Sequence, residues 1–244
     1  MHKKNLAKYL TLFFSALLSL GCSAEKLDNQ PHFNTNNQSG AFFEVPLVID
    51  TASDFMAMQE KTWDFATDLK HNKLGTKAVS NCLTLKKLLS EGFTAVSERD
   101  NSFVGAQSAI CSMWEQMGKF KPYNTSFMSE LTFNKDFATL APARLALLIS
   151  NEQIANAKNA TSWNEASNIK EVKSLSEENA IFYDDSGSIQ RLTLMAKGDY
   201  NSDGFEDRLL YMENSVEGGS YSSTKIYVVT RLTADGSLSL LKEI

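Results

Sequence analysis

"GDYNSDGFEDRLLY", residues 198–211, sets three aspartates, an asparagine and a glycine within nine residues and then passes directly into apolar chain. Asp199, Asn201, Asp203 and Asp207 offer side-chain oxygens at the first, third, fifth and ninth positions, with the Phe205 main-chain carbonyl at the seventh. A hard divalent cation such as calcium takes six to eight oxygen ligands, and a loop delivers them when alternate side chains point inward. Gly204 falls where such a loop must turn sharply and φ becomes positive. The competing reading is a long solvated turn, because Asp, Asn and Gly tolerate left-handed backbone and cap themselves. On either reading the stretch joins two strands.

The chain around it supports that placement. Ile181 and Tyr183, then Leu192, Leu194 and Ala196, alternate as half-buried strands do, with Asp185-Ser186-Gly187 as the turn between them. "KIYVVTRL" and "SLSLLKEI" read as further strands joined through Ala234-Asp235-Gly236, and Gly218-Gly219 marks another turn. Residues 171–244 are therefore expected to form a small antiparallel β domain.

An EF-hand is excluded by spacing, since its loop needs a bidentate acid at position twelve and Leu210 stands there. The pattern resembles instead the D-x-[DN]-x-D-G-x-x-D loop of FG-GAP repeats, the blades of integrin-type β-propellers. Asp199, Asn201, Asp203, Gly204 and Asp207 carry that resemblance, and it covers residues 189–231. It implies a bound calcium ion (Ca2+) in a loop between antiparallel strands. One copy is present where propellers repeat the unit, so a propeller is not implied.

Between Thr51 and Asn159 the periodicity is helical. Phe55, Met58, Thr62, Phe65 or Ala66, and Leu69 recur at three-and-four spacing, and Thr51 with Asp54 forms a capping box. Ala78, Cys82, Leu85 and Leu89 line a second helix that Gly92 ends; Phe103, Ala106, Ile110, Met113 and Met117 line a third. A fourth is expected to begin near Pro142 and to carry Leu145, Leu148 and Ile149. The expected fold class is thus α+β, with a helical domain over residues 45–170 preceding the β domain.

Residues 1–21 read as an export signal: Lys3, Lys4 and Lys8 precede the apolar run 10–20, which is too short to span a bilayer. "LSLGC" resembles the lipobox of bacterial lipoproteins, which implies lipidation of Cys22, with palmitate among the acyl chains. Ser23 after the cysteine implies sorting to the outer membrane of a Gram-negative envelope, on the periplasmic side. Residues 22–44, rich in Asn and Gln, read as a flexible tether. With Cys22 lipidated, Cys82 and Cys111 remain as a pair in an oxidising compartment and are expected to form a disulfide; two separate buried thiols are the alternative.

The 244 residues carry a net charge of −5, and loss of residues 1–21 removes three lysines and no acid, leaving −8. No basic cluster offers a footprint for nucleic acid. The histidines fall at 2, 32 and 71, with no pair among them, and no G-x-S-x-G, P-loop or G-x-G-x-x-G occurs. Glu177-Glu178 and Asp184-Asp185 read as solvated turns, and Trp63, Trp114 and Trp163 as core or interface aromatics. The function expected is a lipid-anchored, calcium-binding, non-enzymatic binding or structural module with a membrane contact through Cys22 and an envelope protein as partner. An envelope enzyme acting on peptidoglycan or glycan is the alternative, as is an inhibitor or immunity protein meeting a basic target.

Overall fold

The computed structural model describes residues 29–244. The expected signal segment and Cys22, the expected site of lipidation, lie outside the described residues. In chain order the elements are β1 (His32–Phe33), α1 (Ala52–Ala57), β2 (Thr67–His71), β3 (Gly75–Val79), α2 (Cys82–Ser90), β4 (Thr94–Ala95) and α3 (Glu98–Met117). Then come α4 (Lys135–Leu140), α5 (Asn151–Asn156), α6 (Trp163–Ser167), β5 (Ile169–Ser176), β6 (Asn179–Asp184), β7 (Ser188–Gly198), β8 (Asp207–Val216), β9 (Ser222–Thr230) and β10 (Ser239–Glu243). Among the described residues no helix is long and apolar enough to cross a membrane.

The dominant element is an antiparallel sheet of order β10-β9-β8-β7-β6-β5, with β1 added on β7 where β6 ends. Side chains alternate across it, and both faces are covered. Leu209, Tyr211, Ile226 and Val228 pack with Phe33, Phe55 and the α3 residues Ile110, Met113, Trp114 and Met117. Their sequence neighbours Leu210, Met212, Tyr227 and Val229 pack on the opposite face with Phe137, Leu145, Trp163 and Phe182. Burial on both faces makes "LLYM" and "IYVV" read as unbroken apolar runs rather than strict alternation.

The expected helical N-terminal half is overturned. α1 keeps the Thr51/Asp54 capping box but ends after six residues. Leu69 lies on β2 and Ala78 on β3, in a second sheet of order β3-β2-β4. The "TDLKH" run buries alternate residues, Thr67 and Leu69, and Gly75 at φ +73° helps turn the chain back. At Pro142 the chain makes one 3-10 turn, Ala143–Leu145, and Ala146 is already extended. Position 170 does not separate one core from another either, since residues on both sides of it share each of the clusters on the two sheet faces.

The expected tether is also corrected for residues 29–44. β1 pairs with β7 through His32↔Lys197 and Phe33↔Ala196, and Phe33, Phe42 and Phe43 are buried. The polar residues act as structural connectors: Asn34 Nδ2 donates to Leu194 O at 2.8 Å, and Trp114 Nε1 donates to Asn37 O at 2.7 Å. An asparagine-rich composition hides order here because its amides satisfy main-chain groups that a loop would otherwise leave to water.

The second and third helices are present as α2 and α3. Cys82 and Cys111 form the expected disulfide between them, with 5.4 Å between Cα atoms. All three tryptophans are buried in the core.

Candidate metal site

Residues 199–206 connect β7 to β8, as the strand reading requires, and the loop sits at the end of the sheet where the chain crosses from one covering layer to the other. α3 ends at Met117 against the first face, and Met128 and Phe133 already belong to the second. The crossing segment runs along the loop and is bonded to it throughout. Asp199 and Lys121 exchange main-chain hydrogen bonds at 2.8 and 3.0 Å. Gly204 O accepts from the Asn124 and Thr125 amides at 2.8 and 3.1 Å, and the Glu206 amide donates to Thr125 O at 2.8 Å. Lys121 Nζ donates to Ser202 Oγ at 2.9 Å.

Two glycines make this approach possible. Gly198 has φ +151°, and a Cβ there would lie 2.8 Å from Lys121 O. Gly204 has φ +87°, and a Cβ would press on Asn124 Nδ2 at 3.2 Å. Aromatic contacts hold both flanks, Tyr200 against Phe120 and Phe205 stacked on Phe127.

The five expected ligands divide into a buried pair and a loop tip. Asp199 is buried; its Oδ1 accepts from the Ser202 and Asp203 amides at 2.6 and 3.2 Å and its Oδ2 from the Gly204 amide at 2.9 Å. At the exposed tip Asn201 Nδ2 donates to Asp203 Oδ2 at 2.8 Å, and Asp203 Oδ1 accepts from the Phe205 amide at 2.9 Å. Asp207, the first residue of β8, is fully buried. Its Oδ2 accepts from the Tyr200 amide at 2.9 Å, while Oδ1 has no well-formed hydrogen bond among the described residues. Burial pushes the Asp207 carboxyl up to about 6, and the negative charge of Asp203 adds to this; Thr230, which opposes Asp207 in the ladder, and the Tyr200 and Asn201 amides pull the other way.

The donor chemistry fits a hard cation. Asp199 Oδ2, Asp203 Oδ1 and Asp207 Oδ2 each hold one amide and retain a lone pair beyond it, whereas Asp199 Oδ1 already holds two, and a buried carboxylate oxygen without a well-formed hydrogen bond is the kind of group a cation satisfies. Among the described residues no three of His, Cys, Asp and Glu are gathered close enough to share a metal ion. A cation would therefore have to draw in the exposed tip, displacing the solvent-facing hydrogen bond from Asn201 Nδ2 to Asp203 Oδ2 and sharing Asn201 Oδ1 with the Asp203 amide.

The sequence reading missed the ion pair beside the loop. Glu206 and Arg208 flank Asp207 and are 3 % and 4 % exposed. Arg208 Nε donates to Glu206 Oε1 at 3.0 Å, its Nη1 donates to Leu131 O at 3.0 Å, and its Nη2 donates to Met128 O. Ser126 Oγ donates to Glu206 Oε2 at 2.6 Å. This pair secures the far end of the crossing segment as Asp199 secures the near end. The alternating "EDR" run within an apolar context was the available signal.

The two carboxylate pairs are also more than solvated turns. Glu178 clips β1 through His32 Nε2 at 2.7 Å and Asn34 Nδ2 at 2.9 Å. Asp184 is buried and caps the 185–187 turn.

Comparison with known proteins finds no matching family model, no matching curated protein and no matching solved structure.

Proposed function

We propose that the protein is a lipid-anchored, calcium-binding component of the bacterial cell envelope that works as a non-enzymatic binding or structural module. The observation that carries the calcium reading is the buried Asp207 carboxylate, one oxygen of which has no well-formed hydrogen bond, set at the ninth position of the D-x-N-x-D-G-x-x-D loop. Asp199, Asn201, Asp203, Asp207 and the Phe205 carbonyl would hold the ion, and the ion supplies positive charge to an acidic loop. What the chain itself contributes is the positioning. The Asp199–Lys121 and Gly204–Asn124 hydrogen bonds fix the loop against the segment that joins the two covering layers. Calcium then acts as a clip on that crossing, at an affinity on the order of the 10⁻⁴ to 10⁻³ M of extracellular modules. The lipobox-like "LSLGC" supports the anchor, and multiple acyl chains on Cys22 would hold the protein on a membrane surface without crossing it.

Calorimetric titration of calcium into the full chain tests the loop: one site is expected, abolished in Asp203→Ala, whose exposed side chain is not needed for the core. Heat of binding unchanged in Asp203→Ala would refute the site. Mass spectrometry of the processed protein tests the anchor, which predicts an acylated N-terminal cysteine that is lost in Cys22→Ser.

A further inference from the structure

On the sheet face that packs against Leu145 and Trp163, a cavity of about 360 Å³ opens between residues 143–148, α5 and the strands β7 to β10. Ladder pairing sets Gln190, Asn214 and Ser223 side by side across β7, β8 and β9, and Lys225 follows Ser223 on the same face of β9. All four line the cavity, so one wall is a row of polar side chains. Ala146, Leu147, Leu148 and Ile154 form an apolar wall.

The polar row is directional, and its direction is fixed at the buried end. Trp163 Nε1 and the Leu147 amide can only donate, and Gln190 Oε1 accepts from them at 3.1 and 3.3 Å. Leu145 O can only accept, and Gln190 Nε2 donates to it at 2.8 Å. Gln190 Nε2 therefore donates to Asn214 Oδ1 at 2.9 Å, and Asn214 Nδ2 donates to Ser223 Oγ at 3.2 Å. Ser223 Oγ lies 3.2 Å from the Tyr221 hydroxyl, which also lines the cavity. Whichever of these two hydroxyls donates to the other, one O–H is left without an acceptor among the described residues. Gln190 and Asn214 are buried, whereas Ser223 is partly exposed and Tyr221 exposed, so the chain of donors runs from the core outward.

The charges lining the cavity are unbalanced in the same sense. Arg144 Nε and Nη2 and Lys225 Nζ all donate to the Glu243 carboxylate. Two cations share one anion, which leaves one positive charge in excess among the lining residues, on a chain whose net charge is −5. Outward donors beside an excess positive charge call for an acceptor that is itself negative. A phosphate monoester brings about −1.5 to −2, more than that excess balances; a carboxylate brings one charge. The facing leucines and isoleucine give a hydrocarbon stem a surface to cover. We propose that this cavity binds a small aliphatic carboxylate, held by Lys225 and the Ser223–Tyr221 hydroxyls, with its stem against Leu147, Leu148 and Ile154. A free carboxylic acid and the C-terminal carboxylate of a partner polypeptide present the same chemistry. The site depends on neither the calcium loop nor the anchor.

Amide NMR of the full chain at constant ionic strength, titrated with hexanoate and separately with Nα-acetyl-leucine, tests this. Saturable shifts are expected at the Leu148, Ser223 and Lys225 amides and at the Asn214 side-chain amide. Hexylammonium, which keeps the stem and reverses the charge, should produce none, and acetate, which lacks the stem, should bind at least about tenfold more weakly than hexanoate. The tighter of the two carboxylates assigns the source: hexanoate the free acid, Nα-acetyl-leucine the chain terminus. Lys225→Gln should weaken binding about tenfold, and Ser223→Ala a few-fold. Both side chains are partly exposed, so either variant serves if the other disturbs the sheet. The proposal is overturned if neither carboxylate produces saturable shifts up to about 50 mM, well beyond the ~1 mM expected of one such contact. It is equally overturned if hexylammonium or acetate binds as well as hexanoate, or if both variants bind as the parent does.

Discussion

Replacing Asp207 with Asn separates a calcium ligand from a turn residue by the sign of its effect. Asparagine preserves the size of the side chain and an oxygen to accept from the Tyr200 amide. It removes the charge from a fully buried position where one carboxylate oxygen has no well-formed hydrogen bond. An unsatisfied buried acceptor costs about 1–3 kcal/mol, more when charged, so in chelator Asp207→Asn should match or exceed the parent in stability. In calcium the order should reverse. For a Kd of about 10⁻⁴ to 10⁻³ M, 10 mM calcium stabilises the parent by about 1.4–2.7 kcal/mol. In a chain of this size that is a rise in melting temperature of roughly 3–11 °C. The variant should show almost none of it. The assay is a thermal melt followed by circular dichroism, run for both proteins in EGTA and in 10 mM calcium. If Asp207→Asn lowers the melting temperature equally in both buffers, the carboxylate is a structural part of the hairpin and the ligand argument fails.

Reduction of the Cys82–Cys111 bridge, or the double Cys→Ser variant, should lower stability by about 3–4 kcal/mol in a denaturant titration, since the bridge closes a separation of 29 residues. Gly198→Ala should destabilise by more than about 1 kcal/mol in the same titration, because its φ is positive and the added Cβ meets Lys121 O; Gly105→Ala on α3, where an added Cβ meets nothing within 4 Å, should not. Glu115 is held below its ordinary value by the Lys86 hydrogen bond, against a smaller burial effect. Its contribution should be fully present above the unfolded value of about 4.5 and be lost as pH falls through the lowered folded value, so the melting difference between the parent and Glu115→Gln should shrink steadily as pH is lowered from 4.5.

The C-terminal strands were legible because their turns are marked by residues with no other comfortable place. Asp185-Ser186-Gly187 and the aspartate loop both fall between strands as read. α2 and α3 were legible because their apolar residues repeat over several turns. What escaped was the sheet's dominance, and the cause lies in its double covering. Residues 29–170 form no helical body of their own; they wrap both faces of a sheet that follows them in sequence, in short pieces whose spacing imitates a helix. Leu69 follows Phe65 and Ala66 at helical distance, yet it is fixed by pairing with Lys77 and Ala95. The asparagine-rich stretch 34–37 was opaque for a different reason: the Asn34 side-chain amide and the Asn37 main-chain carbonyl bond to partners more than seventy residues away. Within the loop, the placement of the acids and the glycine between two strands could be read from spacing. The buried Glu206–Arg208 pair was missed despite the "EDR" run before apolar chain, because a charged residue at a strand start is ordinarily solvated.

The most direct test is a crystal structure of the chain grown in millimolar calcium and measured at a wavelength with calcium anomalous signal. One peak is predicted, coordinated by Asp199, Asn201, Asp203, Asp207 and the Phe205 carbonyl, with the Asn201–Asp203 hydrogen bond broken. A loop with no peak, in which Asn201 still donates to Asp203 and the Asp207 oxygen is met by water, would contradict it.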